Sequence, residues 1–367
     1  MDFALLPTSI ESVEVEPLNI PLLEPFGISR GSLGEAANVL VTVRLADGTL
    51  GRGEAAPFTA YNGETQSDAL AELRAAANWL PGRDAADWKE LGAQFRGGTT
   101  SACGAALCAL ETALLDALCR SSGTSLWKYF GGAGTELETD MTVTTGSESG
   151  AREAALAIRR RGIRIIKAKV GGKGTAADLG RISAILEAAP GSPLILDGNA
   201  GLGRSEVAEL VTGLKARGIA PVLLEQWLPK DDLEGMRLLG LDSGWPVAAD
   251  ESVTTAADAR ALARARAGSH INIKLMKAGI AEALEVAAVA RSEGIGLMIG
   301  GNIESILAMT ASASFAAGLG GFEFADLDTP LFLAENPFQG GYMLEGGRIS
   351  VAHIESGHGV LPLGLLL

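Results

Sequence analysis

The chain has 367 residues, of which 47% are hydrophobic and 20% are charged. This length suits a large domain together with a smaller one, and the composition supplies enough apolar side chains for a sizeable core. The net charge of -14 argues against nucleic acid or an anionic membrane surface as a partner. It does not exclude a small substrate, whose site can differ locally from the average.

The cysteines predict a reduced compartment. Cys103, Cys108 and Cys119 lie in one helical stretch, are odd in number and have no zinc-ligand spacing to a histidine. The N-terminus lacks a basic region and is broken by Pro7, so no signal peptide is expected. No apolar run reaches the about 18 residues that a membrane span requires. We therefore expect a soluble, cytoplasmic protein.

The N-terminal part carries strand signals and then helix signals, which is typical of an α+β domain. A hairpin turn is indicated at 46–49, and loops are predicted at 25–31 and 56–64. Helices are predicted at Thr65–Leu80 and Ser101–Arg120 from their apolar spacing.

After this part, short apolar runs alternate with amphipathic helical stretches. Eight strands are predicted near Met141–Thr144, Ile165–Val170, Leu194–Asp197, Val222–Glu225, Val247–Asp250, Ile271–Lys274, Gly296–Ile299 and Phe322–Ala325. From Lys169 to Lys274 the strand ends are 28, 28, 25 and 24 residues apart, which is the period of a βα unit. This favours a closed parallel barrel of the α/β class. The alternative is an open doubly wound sheet, but the glycine-rich phosphate loop expected after its first strand is missing.

The tail from about Pro337 returns to a pattern of strands and turns without a helix, and we interpret it as returning to the first domain. The predicted division is an N-terminal α+β domain at 1–130, a barrel at 131–335 and a C-terminal segment at 336–367.

Two lysines share one face of the second predicted barrel strand. Because side chains alternate along a strand, Lys167 and Lys169 point to one side and the apolar residues between them to the other. Neighbouring ammonium groups repel, so each one makes it easier for the other to lose a proton. On this segment alone, an edge strand with solvated lysines is the commoner structure.

Three consecutive predicted strands end in the carboxylates Asp197, Glu225 and Asp250. Catalytic groups of such barrels come from the C-terminal ends of the strands, and three converging carboxylates cannot all stay ionised without a cation. Mg²⁺ suits these oxygen ligands and keeps positions open for water and substrate. The alternative is that each acid caps the helix that follows its strand. Three acids in series at barrel spacing favour the metal.

Lysines lie on both sides of these three strands, so Lys169 and Lys274 are expected to face each other across the barrel mouth. The metal would bind a substrate carboxylate between them, acidify the α-proton and stabilise the enediolate. One lysine would remove the proton and the other would return it from the opposite face. The predicted reaction is a 1,1-proton transfer, which results in epimerisation.

Several short motifs belong together: Lys167-Ala168-Lys169, Asp197-Gly198-Asn199, Glu225-Gln226, Asp250-Glu251-Ser252, Ile273-Lys274-Leu275-Met276-Lys277, Gly53-Glu54-Ala55 and Tyr61-Asn62-Gly63-Glu64-Thr65. As a set they resemble the muconate-lactonizing subgroup of the enolase superfamily, over nearly the whole chain. The resemblance implies a capping domain built from both termini and a modified TIM-type (β/α)7β barrel. It also implies that the loops around 25–31 and 57–64 close over the substrate.

The same resemblance implies roles for the strand-end residues. One Mg²⁺ per subunit would be held by Asp197, Glu225 and Asp250. Lys169 and Lys274 would be the acid/base pair. Lys167 would contact the substrate carboxylate and keep the pKa of Lys169 low.

The segment after the eighth strand, Asp326-Leu327-Asp328-Thr329-Pro330-Leu331, resembles that of the dipeptide epimerases. Their paired aspartates hold the free ammonium of the N-terminal residue. Acids at i and i+2 on one side of an extended segment make a cation site, although a loop of solvated acids is the alternative. Thr142 is implied as a substrate-binding residue, and Asn302 and Glu304 are further candidates to line the pocket.

The leading hypothesis is a Mg²⁺-dependent dipeptide epimerase that acts at the α-carbon of the C-terminal residue and forms a homo-oligomer. The alternatives in the same subgroup are N-acylamino acid racemase, o-succinylbenzoate synthase and cycloisomerase, whose substrates have no ammonium for Asp326 and Asp328. A non-catalytic carboxylate-binding barrel is disfavoured by the intact lysine pair. The side-chain preference stays open: Arg30 would suit a glutamate, as in L-Ala-L/D-Glu, whereas Phe26, Ile28 and Phe58 would suit an apolar residue.

Overall fold

The computed structural model describes residues 7–28, 31–98 and 103–364, without the side chains of 25–33. It begins with an antiparallel sheet in the order β1-β2-β3, which consists of β1 (Ile10–Ile28), β2 (Gly31–Leu45) and β3 (Leu50–Ala55). The predicted hairpin turn at 46–49 joins β2 to β3, as expected.

The predicted loop at 25–31 is wrong for its described residues. Their backbone belongs to the β1–β2 hairpin, with Phe26 opposite Leu33 and Ile28 opposite Gly31. Pro25 and Gly27 interrupt the apolar alternation, and the pairing resumes only after a register shift, so the sequence pattern is that of a loop. Arg30 lies outside the described residues, and so do the side chains of Phe26 and Ile28.

Helices cover the N-terminal sheet: α1 (Thr59–Asn62), α2 (Gln66–Ala77), α3 (Trp88–Gly97), α4 (Gly104–Ser121) and α5 (Leu126–Tyr129). The predicted helix at 65–80 is α2, and it begins with a reciprocal capping box between Thr65 and Asp68. The central helix α4 lies directly on β3, where a Cβ at Gly53 would be 1.9 Å from the carbonyl oxygen of Ala109. Glycine therefore allows the closest approach between sheet and helix. In the described part of the chain, no helix combines the length and the apolar character needed to cross a membrane.

The second sheet has eight parallel strands in sequential order. They are β5 (Met141–Val143), β6 (Ile166–Lys169), β7 (Leu194–Asp197), β8 (Leu223–Glu225), β9 (Val247–Ala249), β10 (His270–Lys274), β11 (Gly296–Gly300) and β12 (Phe322–Ala325). The connecting helices are α6 (Glu148–Arg160), α7 (Thr175–Ala188), α8 (Arg204–Ala216), α9 (Leu233–Ser243), α10 (Ala256–Ala265), α11 (Gly279–Ser292) and α12 (Ile306–Leu319). This is the predicted (β/α)7β order, and each strand begins and ends within one residue of its predicted bounds.

The first and last strands of this sheet meet just before β5. Thr139 forms a parallel bridge with Ala325, and the backbone N–H of Asp140 donates to the carbonyl of Ala325 at 2.9 Å. The N–H of Leu327 donates to the Thr139 hydroxyl at 2.9 Å. These bonds close the curled sheet into a barrel and bring the segment after β12 beside β5.

The chain ends in short strands, as predicted from its strand-and-turn pattern. They are β13 (Phe338–Gly340), β14 (Met343–Glu345), β15 (Arg348–Ser350) and β16 (Val360–Pro362). β14 pairs with β15, and β15 pairs with β4 (Glu136–Glu138). Asp116 on α4 joins this tail to the N-terminal part: its carboxylate accepts from the backbone N–H of His358 at 2.9 Å, from the N–H of Arg52 at 2.9 Å and from Arg120 Nε at 2.9 Å. The three-part division at 130 and 335 stays a prediction.

Two buried glutamates join the N-terminal part to the barrel. Glu54 at β3 accepts from the backbone N–H of Ser305 at 2.9 Å and of Ala308 at 3.2 Å, at the start of α12. Glu111 on α4 accepts from the N–H of Ile280 and from that of Ala281 (3.1 Å), at the start of α11. The first N–H groups of a helix have no partner within the helix and carry its positive dipole end, so each carboxylate stabilises a barrel helix.

Candidate active site

Adjacent barrel strands place the predicted site residues side by side. In the parallel register, Lys169 on β6 lies opposite Asp197 on β7, and Asp197 lies opposite Glu225 on β8. Asp250 directly follows β9, and Lys274 ends β10. These side chains are buried, so the edge strand with solvated lysines is ruled out. The strand ends meet at one face because all eight strands run in parallel.

Lys167 lies at the centre of the carboxylates. Its Nζ is 3.0 Å from Asp197 Oδ2, 2.7 Å from Glu225 Oε2 and 2.6 Å from Asp326 Oδ2, and the side chain is 1% exposed. Burial by itself would lower the pKa of Lys167, but the carboxylates of Asp197, Asp326 and Glu225 outweigh it and hold that pKa well above its ordinary value. Lys167 is therefore a charged group that binds carboxylates.

The other two lysines pair with acids and line one cavity. Lys169 Nζ donates to Asp197 Oδ2 at 2.7 Å, and Lys274 Nζ lies 2.8 Å from Asp250 Oδ2. The Lys274 ammonium also lies 4.8 Å from the centre of the Tyr61 ring, which is a cation–π contact. Both lysines thus reach the same space from different strands.

This cavity lies at the barrel mouth and has a volume of about 30 Å³. The predicted site residues that line it are Thr142, Lys169, Lys274, Asn302, Asp326 and Asp328. Phe58 and Tyr61, from the 56–64 segment, cover it together with Ile303. Glu304 is not among the lining residues, because its carboxylate turns back to accept from the backbone N–H of Asn302 at 2.7 Å.

The strand-end carboxylates fit a hard divalent cation. Asp197, Glu225 and Asp250 are at most 1% exposed. Glu225 Oε2 and Asp250 Oδ2 accept no hydrogen bond from the described residues, and their contacts with Lys167 and Lys274 are ion pairs without hydrogen-bond geometry. Buried carboxylate oxygens without donors are suited to Mg²⁺, which takes oxygen ligands.

Ionisation of these acids is already favoured by the lysines. Burial by itself would raise the pKa of Asp197, but Lys167 and Lys169 lower it to about 2. Burial likewise opposes ionisation of Asp250, and Lys274 and Lys277 hold the pKa of this carboxyl below its usual range. Both groups are therefore carboxylates at neutral pH, which is the form that binds a metal.

The acids after β12 lie beside the same cavity. Asp328 Oδ2 accepts from the backbone N–H of Thr142 at 2.7 Å, and Asp326 Oδ2 accepts from Lys167 Nζ at 2.6 Å. Burial raises the pKa of Asp328 to about 8, and the neighbouring Asp326 carboxylate adds to this effect. Both side chains are buried, so the alternative of a loop of solvated acids is ruled out. Such a pair favours a positively charged partner.

The turns after two of the metal-ligand candidates have unusual backbone conformations. Asn199 (φ 43°) and Ala200 (φ 54°) follow Asp197, and Gln226 (φ 37°) follows Glu225. Non-glycine residues in this left-handed region cost on the order of 1–3 kcal/mol each and cluster at functional sites. The turn after Asp197 brings the N–H of Asn199 within 2.9 Å of Asp197 Oδ1, which fixes the carboxylate.

Several supporting residues were given no role by the sequence. Asn272 Nδ2 donates to Glu225 Oε1 at 2.7 Å, and Gln226 Oε1 accepts from the N–H of Asp250 at 2.9 Å. Lys277 donates to backbone carbonyls, among them that of Asp250 at 2.6 Å, and the Tyr61 hydroxyl donates to Asp250 Oδ1 at 3.1 Å. Asn272 had a usable signal, because it precedes Lys274 by two residues on a strand and so shares its face.

Comparison with known proteins places this architecture in a family. Residues 10–131 match the mandelate racemase/muconate lactonizing enzyme N-terminal domain, and residues 150–362 match the enolase C-terminal domain-like family. The chain is 50% identical over 355 residues to an aromatic dipeptide epimerase of Herpetosiphon aurantiacus, covering 97% of this chain and 99% of that protein. It is 39% identical to a hydrophobic dipeptide epimerase of Citrifermentans bemidjiense, covering 96% and 98% of the two chains.

A solved structure supports the same relationship. The dipeptide epimerase of Enterococcus faecalis V583, complexed with Mg and the dipeptide L-Leu-L-Tyr, superimposes with a TM-score of 0.91 at 29% identity, covering 96% of this chain and 99% of that chain. The fold, the two domain matches and the relatives agree with the arrangement of lysines and carboxylates at the barrel mouth. The chain belongs to the mandelate racemase/muconate lactonizing enzyme family of the enolase superfamily.

Proposed function

We propose that this protein is a Mg²⁺-dependent dipeptide epimerase that inverts the α-carbon of the C-terminal residue. The observation that carries the proposal is the shared cavity: Lys169 and Lys274 line it together with Asp326 and Asp328. An acid/base pair and an anionic pair for an ammonium thus belong to one site. The named activities of the relatives, which include aromatic, hydrophobic and L-Ala-D/L-Glu dipeptide epimerases, support the same reaction class.

Asp197, Glu225 and Asp250 would hold the Mg²⁺. When bound, this ion supplies the positive charge that polarises the substrate carboxylate and makes the α-proton more acidic. The metal would then replace Lys167 as the partner of Asp197 and Glu225, so that the ammonium, still paired with Asp326, could also bind the substrate carboxylate. Lys167 would position that carboxylate by a charge-assisted hydrogen bond.

The two remaining lysines carry the proton transfer. The neutral amine of one lysine takes the α-proton at Nζ, while the ammonium of the other gives a proton to the opposite face of the same carbon. The configuration is inverted and the lysines exchange their protonation states. Lys169 on β6 and Lys274 on β10 suit these roles because they enter the cavity from different sides. Between their strands lie β7, β8 and β9, which position the three proposed metal ligands.

The Asp326–Asp328 pair would bind the free ammonium of the dipeptide. N-acylamino acids, o-succinylbenzoate precursors and muconates have no such ammonium, so with those substrates this pair would face no cation in the cavity. Thr142 donates its backbone N–H to Asp328 at 2.7 Å and orients one member of the pair.

We further propose that the substrate is a dipeptide with apolar or aromatic side chains. Phe58 and Ile303 line the cavity and pack in one apolar cluster with Ile20, Ala36 and Leu333. Within the described part of the cavity wall, the cations are Lys169 and Lys274, and each already has a carboxylate partner. A glutamate side chain would therefore meet apolar groups. Two relatives are named for aromatic and hydrophobic dipeptides, in line with this preference.

The test is a dipeptide library incubated with the enzyme and Mg²⁺ in D₂O and read by mass spectrometry. We expect deuterium at the C-terminal α-carbon of apolar and aromatic dipeptides, and less of it in Ala-Glu. The double variant Lys169→Ala/Lys274→Ala is the control for non-enzymatic exchange. Exchange of N-acylamino acids in preference to dipeptides, or no exchange in any dipeptide, would contradict the proposal.

We also propose that the enzyme works in the cytoplasm as a homo-oligomer. Its cysteines are free and buried, in keeping with a reduced compartment. Large apolar side chains such as Leu241 and Leu363 are 67% and 60% exposed, and an interface would cover them. Light scattering of the purified protein measures the oligomeric state directly, and a monomer at all concentrations would contradict that part.

A further inference from the structure

Asp140 is a buried acid beside the Asp326–Asp328 pair, and the proposed reaction assigns it no role. It directly precedes β5 and its side chain is 0% exposed. Neither Oδ1 nor Oδ2 accepts a hydrogen bond from the part of the chain that the structure describes. An ionised carboxylate in this state would be very costly, because burial removes its water and nothing replaces it.

The neighbours of this acid are the two aspartates of the ammonium site. One carboxyl oxygen each from Asp140, Asp326 and Asp328 lies within 4.8 Å of the other two. Within the described residues, the ammonium paired with this cluster is that of Lys167, and Asp197 and Glu225 share it. A third ionised acid at this place is therefore costly. A proton on one of them removes one of the three negative charges and supplies a donor for a neighbouring carboxylate.

Asp140 is the member of the three that suits this proton. Asp326 accepts from the Lys167 ammonium and Asp328 from the N–H of Thr142, so both have donors that favour the ionised form. Asp140 has none among the described residues. Burial, followed by the Asp326 carboxylate, raises the pKa of Asp140 well above its ordinary value, which agrees with the geometry.

We propose that Asp140 is a positioning residue for the substrate ammonium, whose protonated carboxyl group donates a hydrogen bond to the Asp326–Asp328 pair. The inference rests on the proposed dipeptide substrate. Asp140 does not line the cavity, so it holds the pair from behind and leaves the side that faces the substrate free. A neutral donor also adds no further negative charge beside the two aspartates that the ammonium meets.

Two substitutions separate the hydrogen bond from the charge. Asp140→Asn places an N–H donor where the O–H was, whereas Asp140→Val removes the donor and leaves a smaller apolar side chain. We expect Asn to keep the KM for an apolar dipeptide close to the wild-type value. Val should raise KM by about tenfold, as for the loss of one hydrogen bond to a charged acceptor, with little change in kcat. Thermal unfolding of both variants shows whether they fold.

A second measurement does not depend on turnover. The infrared difference spectrum between wild type and Asp140→Asn should contain the C=O stretching band of a protonated carboxyl at neutral pH. Calorimetric titration with Mg²⁺ should give one site in both proteins. If two sites appear in wild type and one of them disappears in Asp140→Asn, the three acids hold a metal and the proposal is wrong.

The remaining outcomes are equally decisive. If Asp140→Asn raises KM as much as Asp140→Val does, a negative charge at position 140 is needed, and the proposed protonated carboxyl of Asp140 is wrong. If the Asp140→Val variant folds and has the wild-type KM, Asp140 does not position the substrate. If Val does not fold, the infrared band decides, and its absence overturns the proposal. A wild-type enzyme that epimerises no dipeptide would instead refute the proposed function, while the infrared band would still test the proton on Asp140.

Discussion

Two buried carboxylates of this protein differ in the hydrogen bonds that they accept. Asp116, which joins the C-terminal tail to the N-terminal part, is 0% exposed, and both of its oxygens accept hydrogen bonds from Arg52, Arg120 and His358. Glu225 at the barrel mouth is equally buried, but its Oε2 accepts none from the described residues. A buried acid with a full set of donors stabilises the fold. A buried acid whose oxygen is held by an ion pair, as Glu225 Oε2 is by Lys167 at 2.7 Å, can take a metal cation there instead.

The largest effect is expected at the two lysines proposed to transfer the proton. Lys169→Ala or Lys274→Ala should lower the epimerisation rate by about 10²–10⁴-fold or more, since each removes one acid/base group. Each variant should still exchange the α-proton of one stereoisomer, because the base on the other face remains. Proton NMR in D₂O with each isomer measures this split. Full turnover in both variants would exclude the two-base mechanism.

The second largest effect is expected at Glu225, whose Oε2 accepts no hydrogen bond from the described residues. Glu225→Gln should weaken Mg²⁺ binding strongly, because an amide replaces a charged ligand, while the thermal midpoint changes little or rises. Calorimetric titration with Mg²⁺ and thermal unfolding without metal measure the two quantities. EDTA should likewise abolish activity without unfolding the protein. A variant with unchanged Mg²⁺ affinity would remove Glu225 from the ligand set.

Asp116, whose two oxygens both accept hydrogen bonds, should behave in the opposite way. Asp116→Asn should lower the free energy of unfolding by about 2–4 kcal/mol, since donors that served a charge then meet a neutral amide. Its Mg²⁺ affinity should stay at the wild-type value. Urea unfolding measures the loss, and Asp231→Asn at an exposed position is the control, with an expected change below about 0.5 kcal/mol. An unaltered stability of Asp116→Asn would show that this carboxylate is dispensable.

The smallest effect is the pH dependence of the same acid. Burial by itself would raise the pKa of Asp116, but His358 and Arg120 lower it from 3.8 to about 2. A depressed folded-state pKa contributes stability above the unfolded value, here about 2 kcal/mol, and this is lost as the pH falls from about 4 towards 2. The difference between wild type and Asp116→Asn in urea unfolding should therefore shrink across this range. A constant difference would mean that Asp116 does not titrate there.

The sequence predicted the barrel closely because the strand ends repeat with the period of a βα unit, and that period is independent of packing details. The same rule predicted Asp197, Glu225 and Lys274 at strand ends, and the structure has them at the ends of β7, β8 and β10. The strain in Asn199 and Gln226 gave no such signal, because a left-handed conformation of these residues depends on the turn that surrounds them.

Other features depend on contacts between distant segments. Asp140 is an ordinary acid in the sequence and becomes unusual only because closure of the barrel brings it to Asp326 and Asp328. Lys167 was predicted to bind the substrate carboxylate, and its contact with three protein carboxylates could not be derived from one strand. The 25–31 segment was misassigned because Pro25 and Gly27 hide a hairpin whose pairing resumes after a register shift.

Glu54 has a consequence for how this site can change over evolutionary time. It binds the start of α12 and also accepts from Asn38 Nδ2 at 2.7 Å, while the same amide donates to the carbonyl of Ile303 at 2.9 Å. Phe58 follows Glu54 closely in the chain, so the apolar groups from the cap and from the barrel are aligned by one buried carboxylate. Under the proposed function, substitutions at Phe58 or Ile303 would alter which side chain is accepted, and the proposed catalytic lysines and metal ligands would keep their places.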